Sequence, residues 1–418
     1  MSLITSCTRA WLTRSAKPFV FRNEYDEVLS FENAPGLGLY IHIPFCKSLC
    51  NFCPYCKELY TEEKCNRYLN ALLKEICAVG AMAKQKKKVT SLYFGGGTPA
   101  LAFDRIAEII ETVRRYFTIT EGIGVELHPE NVTVPVLQAL KTAGVTKISI
   151  GIQSFGEKFI RILGRSRADA ERMQKALSAV PFETVSMDFI FALPDQTFED
   201  LKTDIDTAFS IGANHVAIYP FIDFTFTKST VKAMPKKKKR ALLDKITRYC
   251  LEEKGLTRDS IWTFSSEKGA KYSSMTRDNF LGFGCSATTL LRDSFKINTF
   301  SVDEYCARIN AGKLPTALTL RFTERQRMIY YLFWTAYSTK VRERDFEAFF
   351  GKDLKKAYGA ELKLAKLLGF ATEQNGVWQM TLKGAFYYHY YENFYTLAYI
   401  DKMWSILRLQ AFPKEIRL

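Results

Sequence analysis

Tyr40-Ile-His-Ile-Pro-Phe-Cys46-Lys-Ser-Leu-Cys50-Asn-Phe-Cys53 holds three of the chain's ten cysteines at spacing C-x3-C-x2-C, directly after a short apolar run. Three thiolates so spaced can wrap a loop around three corners of a [4Fe-4S] cube, because thiolate is the preferred ligand of iron–sulfur clusters. The fourth iron is then left for another ligand. Cys56 extends the run to C-x3-C-x2-C-x2-C, and four sulfurs are also what structural zinc takes. Zinc usually joins two separated pairs, so the spacing favours the cluster and keeps zinc as the alternative.

Leu39–Ile43 reads as a buried strand ended by Pro44, which puts the cysteine loop at a strand's C-terminal end. Five further apolar runs follow at Val89–Phe94, Ile123–Leu127, Thr146–Ile152, Val185–Phe191 and His215–Tyr219. Segments of helical period separate them, at Lys64–Ala83, Leu101–Tyr116, Pro135–Ala143, Arg167–Ala179 and Phe198–Ile211. This alternation predicts right-handed βαβ units and a parallel sheet, an α/β fold of the partial (β/α)6 barrel kind. In such folds function gathers in the loops at the strands' C-terminal ends. Every notable motif falls there: the cysteine loop, Gly95-Gly96-Gly97-Thr98, Glu126, Gln153 and Asp188.

Residues 1–38 read as a basic N-terminal arm, with Arg9, Arg14, Lys17 and Arg22 and no acid before Glu24. Residues 39–310 hold the barrel and an extension, which includes a basic helix from Lys236 to Lys254. A polar, glycine-rich stretch follows, with Trp262, Lys268, Arg277 and Leu281-Gly-Phe-Gly-Cys-Ser286. Residues 311–418 read as a mostly helical, winged-helix-like module. Its helices are expected at Thr323–Tyr337 and Leu354–Leu368, and its hairpin turns at Asn375-Gly376. The aromatic run Phe386–Tyr395 has the spacing of a helical packing face.

No uncharged apolar run approaches ~18 residues, so no membrane span is expected. Ten cysteines in 418 residues are too few for a disulfide scaffold and point to a reducing, cytoplasmic setting. The net charge of +15 sits largely in the runs Lys84–Lys88 and Lys236–Arg240, which read as solvated charge rather than a nucleic-acid surface.

Tyr40-x-His-Ile-Pro-Phe-Cys, Phe94-Gly-Gly-Gly-Thr-Pro, Ser149-Ile-Gly-Ile-Gln-Ser-Phe, Leu163-Gly-Arg and Asp188-x-Ile-x-x-Leu-Pro-x-Gln-Thr occur in that order. Together they closely resemble radical S-adenosylmethionine (SAM) proteins of the oxygen-independent coproporphyrinogen III oxidase family, over roughly residues 37–290. The resemblance implies that Cys46, Cys50 and Cys53 hold the [4Fe-4S] cluster and that SAM chelates the open iron. It implies that Gly95, Gly96, Gly97 and Thr98 bind the methionyl ammonium and that Phe52 packs on adenine. Glu126 and Arg165 are expected at SAM's ammonium and carboxylate, where an arginine can bind both carboxylate oxygens. Gln153 and Asp188 are expected near its ribose and sulfonium. Tyr40 and Asp188 are the candidate catalytic residues, whereas His42 alternates with apolar neighbours and is assigned no chemistry.

The implied reaction is reductive cleavage of SAM to a 5′-deoxyadenosyl radical, acting on a tetrapyrrole such as coproporphyrinogen III. It calls for a reducing partner of flavodoxin or ferredoxin type and one or two SAM molecules. Related members use a second SAM for methylation, cyclopropanation or haem opening, and others are non-catalytic haem-trafficking proteins. Cys56 is the departure: oxidases of the family generally carry C-x-C where this chain has C-x2-C, which leaves the substrate open.

Overall fold

The computed structural model describes residues 3–25, 28–266 and 278–418; the polar stretch around Lys268 and Arg277 lies outside them. The six expected strands form at Leu37–Ile43, Leu92–Gly96, Ile123–Leu127, Lys147–Gln153, Thr184–Phe191 and His215–Pro220. They lie side by side in chain order, every pair parallel. Alternation along each strand divides the side chains. Ile41, Phe94, Val125, Ile150 and Met187 join the helical stripes of Leu69, Leu72, Ile76, Ile106, Ile109 and Leu137 in one core. Tyr40, Tyr93, Glu126, Ser149, Ser186 and Asp188 take the alternate positions of the same strands. Register brings these into rows: Tyr40 is opposite Tyr93, Glu126 opposite Ser149, and Ser149 opposite Ser186.

The helices start where their caps dictate. Thr61 accepts from the Lys64 N–H ahead of Glu62–Gly80, with Glu62 and Glu63 in the first turn. Thr197 and Asp200 make a reciprocal capping box ahead of Phe198–Ser210. The strand expected at Val89–Phe94 is two elements. Lys87–Val89 pairs with Phe117–Ile119 apart from the main sheet, and only Leu92–Gly96 runs within it.

The sheet is open rather than closed and continues past the first strand. Asn279–Phe283, inside the stretch read as polar and glycine-rich, runs parallel to Leu37–Ile43. Its Gly282 packs so closely that a Cβ would lie 2.2 Å from the Thr288 carbonyl oxygen. Thr288–Leu290, Ser294–Asn298 and Thr316–Arg321 follow as antiparallel neighbours. Val20–Arg22 then inserts between Thr316–Arg321 and Glu415–Arg417. Three-residue strands carry no readable alternation, so the sequence shows this segment only as a basic arm.

Beyond Arg321, helices Glu324–Tyr337, Glu343–Phe350 and Leu354–Leu367 and a three-stranded sheet surround a core of their own that includes Tyr331, Phe346, Phe350 and Trp378. The hairpin turns at Asn375 (φ 52°) and Gly376 (φ 72°), the left-handed pair a two-residue turn requires. Phe386–Tyr395 lies in helix Leu382–Tyr395, where Tyr388 stacks on Phe333 at 5.0 Å. Among the described residues no helix is long and apolar enough to cross a membrane.

Candidate active site

The loop after the first strand carries Cys46, Cys50 and Cys53 as free, half-buried thiols. Lys57 fixes its shape by donating to the carbonyls of Cys50 (2.9 Å) and Cys53 (2.8 Å). Burial pushes the Cys46 thiol up to about 11 and raises Cys50 as well. Thiolates here therefore call for positive charge, which a bound iron cluster supplies. The three sulfurs open onto one cavity of about 1060 Å³, so the donor set fits a cluster with one corner left for a ligand.

The glycine strip joins this loop to the sheet: Gly97 N–H donates to Ile43 O and Thr98 N–H to Phe45 O, both at 2.8 Å. A Cβ on Gly97 would lie 2.6 Å from Phe45 O, and one on Gly96 (φ 120°) would lie 2.8 Å from the His42 ring. Gly96, Gly97 and Thr98 line the cavity with Phe52, Glu126, Gln153, Arg165 and Asp188. Gly95 and Tyr40 do not line it. Gly95 makes room for the Tyr40 ring and Glu126, and the Tyr40 hydroxyl lies 3.1 Å from His42 Nδ1. Phe52 also packs on Phe159, Leu163, Ile190 and Phe221.

Glu126 accepts from Tyr93 OH and Gly96 N–H, each at 3.1 Å, yet burial and the charge of Asp188 push its carboxyl up to about 7. Asp188 accepts from Ser149 (2.8 Å) and Ser186 (3.2 Å), and burial raises it to about 6. Two buried carboxyls with elevated pKa values form a site short of positive charge, as a cation-binding pocket is. Arg165 lines the same cavity, its guanidinium near Gly151. Burial lowers its pKa while the cluster-loop cysteines raise it. Gln153 takes φ 72° where the strand register slips beside Asp188, a bulge that turns its side chain towards Gly151.

Sequence reasoning missed Tyr93, Ser149 and Ser186. Period-2 counting back from Glu126 and Asp188 along neighbouring strands finds them. It also missed the far wall of the cavity, made by Tyr330, Trp334 and Tyr337 of helix Glu324–Tyr337 with Trp404 and Arg258. Behind the cavity, Cys56 is buried; its Sγ lies 3.1 Å from Phe300 O and 3.9 Å from Cys285 Sγ.

Residues 40–208 match the model of the radical SAM superfamily. A heme chaperone HemW of Bacillus subtilis is 25% identical over 78% of this chain and 89% of its own length. An oxygen-independent coproporphyrinogen III oxidase of Helicobacter pylori is 25% identical over 78% of this chain and 79% of its own. The solved structure of Escherichia coli coproporphyrinogen III oxidase (HemN), a radical SAM enzyme, matches with TM-score 0.74 at 21% identity, over 88% of this chain and 93% of that one. At that identity the likeness establishes the fold. The chain has the radical SAM fold, with residues 40–208 matching the superfamily model, and it resembles the oxygen-independent coproporphyrinogen III oxidase family.

Proposed function

We propose that the protein is a radical SAM enzyme acting on a tetrapyrrole, with oxidative decarboxylation of coproporphyrinogen III propionates as the leading reaction. One observation carries the reading. The cysteine loop, the cation-seeking carboxyls and an aromatic wall share a single cavity of about 1060 Å³. The superfamily implies a [4Fe-4S] cluster and SAM, which together supply reductive C5′–S cleavage and a 5′-deoxyadenosyl radical.

The protein's own residues hold and orient these groups. Cys46, Cys50 and Cys53 ligate the cluster. Gly96, Gly97, Thr98 and Glu126 receive the methionyl ammonium, and Arg165 pairs with its carboxylate. Asp188 and Gln153 face the ribose and sulfonium, and Phe52 flanks adenine. Tyr330, Trp334 and Trp404 offer ring faces to a large flat substrate, while Arg258 offers a partner for a carboxylate side chain. Tyr40 stands outside the chamber lining, its hydroxyl against His42 Nδ1, and touches no substrate there. Electrons come from a low-potential donor of flavodoxin or ferredoxin type, and ten free cysteines suit a reducing cytoplasm.

Anaerobically reconstituted protein, given SAM and coproporphyrinogen III, is expected to release 5′-deoxyadenosine and convert propionates to vinyls with loss of carbon dioxide. Turnover of SAM with coproporphyrinogen III left unchanged overturns the substrate. S-adenosylhomocysteine beside 5′-deoxyadenosine would identify a second SAM and methyl transfer. Haem trafficking is the second reading, favoured by the similarity to a heme chaperone over 78% of this chain. Stable haem binding without SAM cleavage supports it.

A further inference from the structure

We propose that His42, Cys56 and Cys285 form a second metal site, separate from the cluster loop, that binds a single zinc-class divalent cation. One ligand atom from each lies within 4.8 Å of the others, and all three residues are buried. The two sulfurs are 3.9 Å apart. Two thiolates on one tetrahedral zinc, each about 2.3 Å from the metal, stand about 3.8 Å apart. None of the three lines the chamber that receives Cys46, Cys50 and Cys53, so they belong to a different site.

The surroundings orient the donors. Tyr40 OH lies against His42 Nδ1 at 3.1 Å, the outer contact that fixes a metal-binding imidazole and leaves Nε2 for the metal. On that side of the ring lie Cys56 O at 3.1 Å and Ser286 Oγ at 3.3 Å, the latter a hydroxyl suited to a fourth position. Cys285 is aimed inward by a turn whose flanking residues, Gly284 (φ 98°) and Ser286 (φ 55°), are both left-handed. A non-glycine residue takes that conformation only where its surroundings enforce it.

A Cys2His donor set favours zinc among the common divalent ions. Binding converts two thiols to thiolates and releases two protons, and the S–H contact from Cys56 to Phe300 O is given up. Two thiolates and one dication sum to zero charge, which suits a buried site. The metal would tie the end of the cluster loop to the first strand and to the turn after Asn279–Phe283. That gives Cys56, whose spacing departs from the oxidase pattern, a role that the chamber does not.

The test is metal analysis and zinc-edge X-ray absorption on the full chain with its cluster in place, after exposure to a zinc salt and removal of the excess. A single zinc per chain is expected, with two sulfur neighbours at about 2.3 Å and nitrogen or oxygen neighbours at about 2.0 Å. Cys56→Ser and Cys285→Ser should each lose the zinc and keep the cluster iron. Protein that retains its iron but takes up no zinc overturns the proposal. So does zinc with only nitrogen and oxygen neighbours, or a Cys56–Cys285 disulfide in anaerobically prepared protein. The absorption spectrum of the unaltered chain decides even where a variant fails to fold.

Discussion

Asp188 and Glu126 share one problem: each is a buried carboxyl whose protein partners do not offset its desolvation, so they rest at about 6 and about 7. A cationic ligand between them stabilises both charges. SAM affinity should therefore fall as pH drops through this range, by up to about tenfold per pH unit for each carboxyl that must lose its proton. Asp188→Asn should weaken SAM binding about 10- to 100-fold, as loss of a charge-assisted contact does, and flatten the profile. Anaerobic equilibrium dialysis against pH measures both, and a profile unaltered by the substitution would remove Asp188 from the ligand site. Gly97→Ala tests the loop. The new Cβ meets backbone at Phe45 O and Pro44 C, which cannot rotate away, so cluster iron per chain should drop sharply. Glu126 could be found in the sequence because it stands next to a strand's C-terminal end. Asp188, expected at such an end, lies in the middle of Thr184–Phe191, and only the motif around it draws notice. Tyr330, Trp334 and Tyr337 share one helix face by their i, i+4, i+7 spacing, but such a stripe looks the same whether it meets a core or a cavity.

Helix Glu62–Gly80 carries Glu75 on its buried side, where it accepts from Gly284 N–H (2.7 Å), Tyr305 OH (2.6 Å) and Asn298 Nδ2 (3.4 Å). One carboxyl thus joins this helix, the turn after Asn279–Phe283 and helix Val302–Asn310. Glu75→Ala leaves Gly284 N–H and Tyr305 OH without their acceptor, while Asn298 Nδ2 keeps Gly284 O at 2.9 Å, and should cost about 3 kcal/mol in urea denaturation. Burial raises this carboxyl from 4.5 to about 7, so the folded chain holds its proton more tightly than the unfolded chain does. Its contribution is present below the unfolded value and is lost as pH rises through the folded one. The loss is about 3 kcal/mol at most. Glu126 and Asp188 slope the same way, so Glu75→Gln should reduce the decline in stability between about pH 4.5 and about pH 7 without abolishing it. An unchanged decline would mean that Glu75 is already ionised. The helix was legible from its apolar stripe. Its junction was not, because a lone Glu among Leu72, Ile76 and Val79 shows no partner until Asn279–Phe283 is known to run beside the first strand.

At the scale of the molecule the two ends of the chain complete one sheet. Val20–Arg22 fills the gap between Thr316–Arg321 and Glu415–Arg417, and Phe19 and Leu418 exchange backbone hydrogen bonds at 2.9 Å. Arg9 donates to Leu418 O at 2.7 Å. Just upstream, helix Asp401–Leu409 brings Trp404 to the cavity wall and within 5.9 Å of the Tyr55 ring beside the cluster loop. Asp401 clamps Thr225 in the loop after the sixth strand. The chamber is thus closed by an element whose far end is secured through the sheet edge. Such pairing is invisible in sequence, because it joins segments about 400 residues apart through strands too short to show a pattern. Deleting residues 415–418 exposes the sites of Ile416 and Leu418, which are 3% and 1% accessible, and should cost about 4 kcal/mol. Deleting residues 1–24 removes the one strand among the described residues that Glu415–Arg417 pairs with, so it should release the same segment. The two deletions remove shared contacts, and their combined cost should fall clearly short of the sum. Urea midpoints of the three truncated chains decide the point. Additive losses would mean that each end is held independently and that the chamber's last wall does not depend on the N-terminal strand.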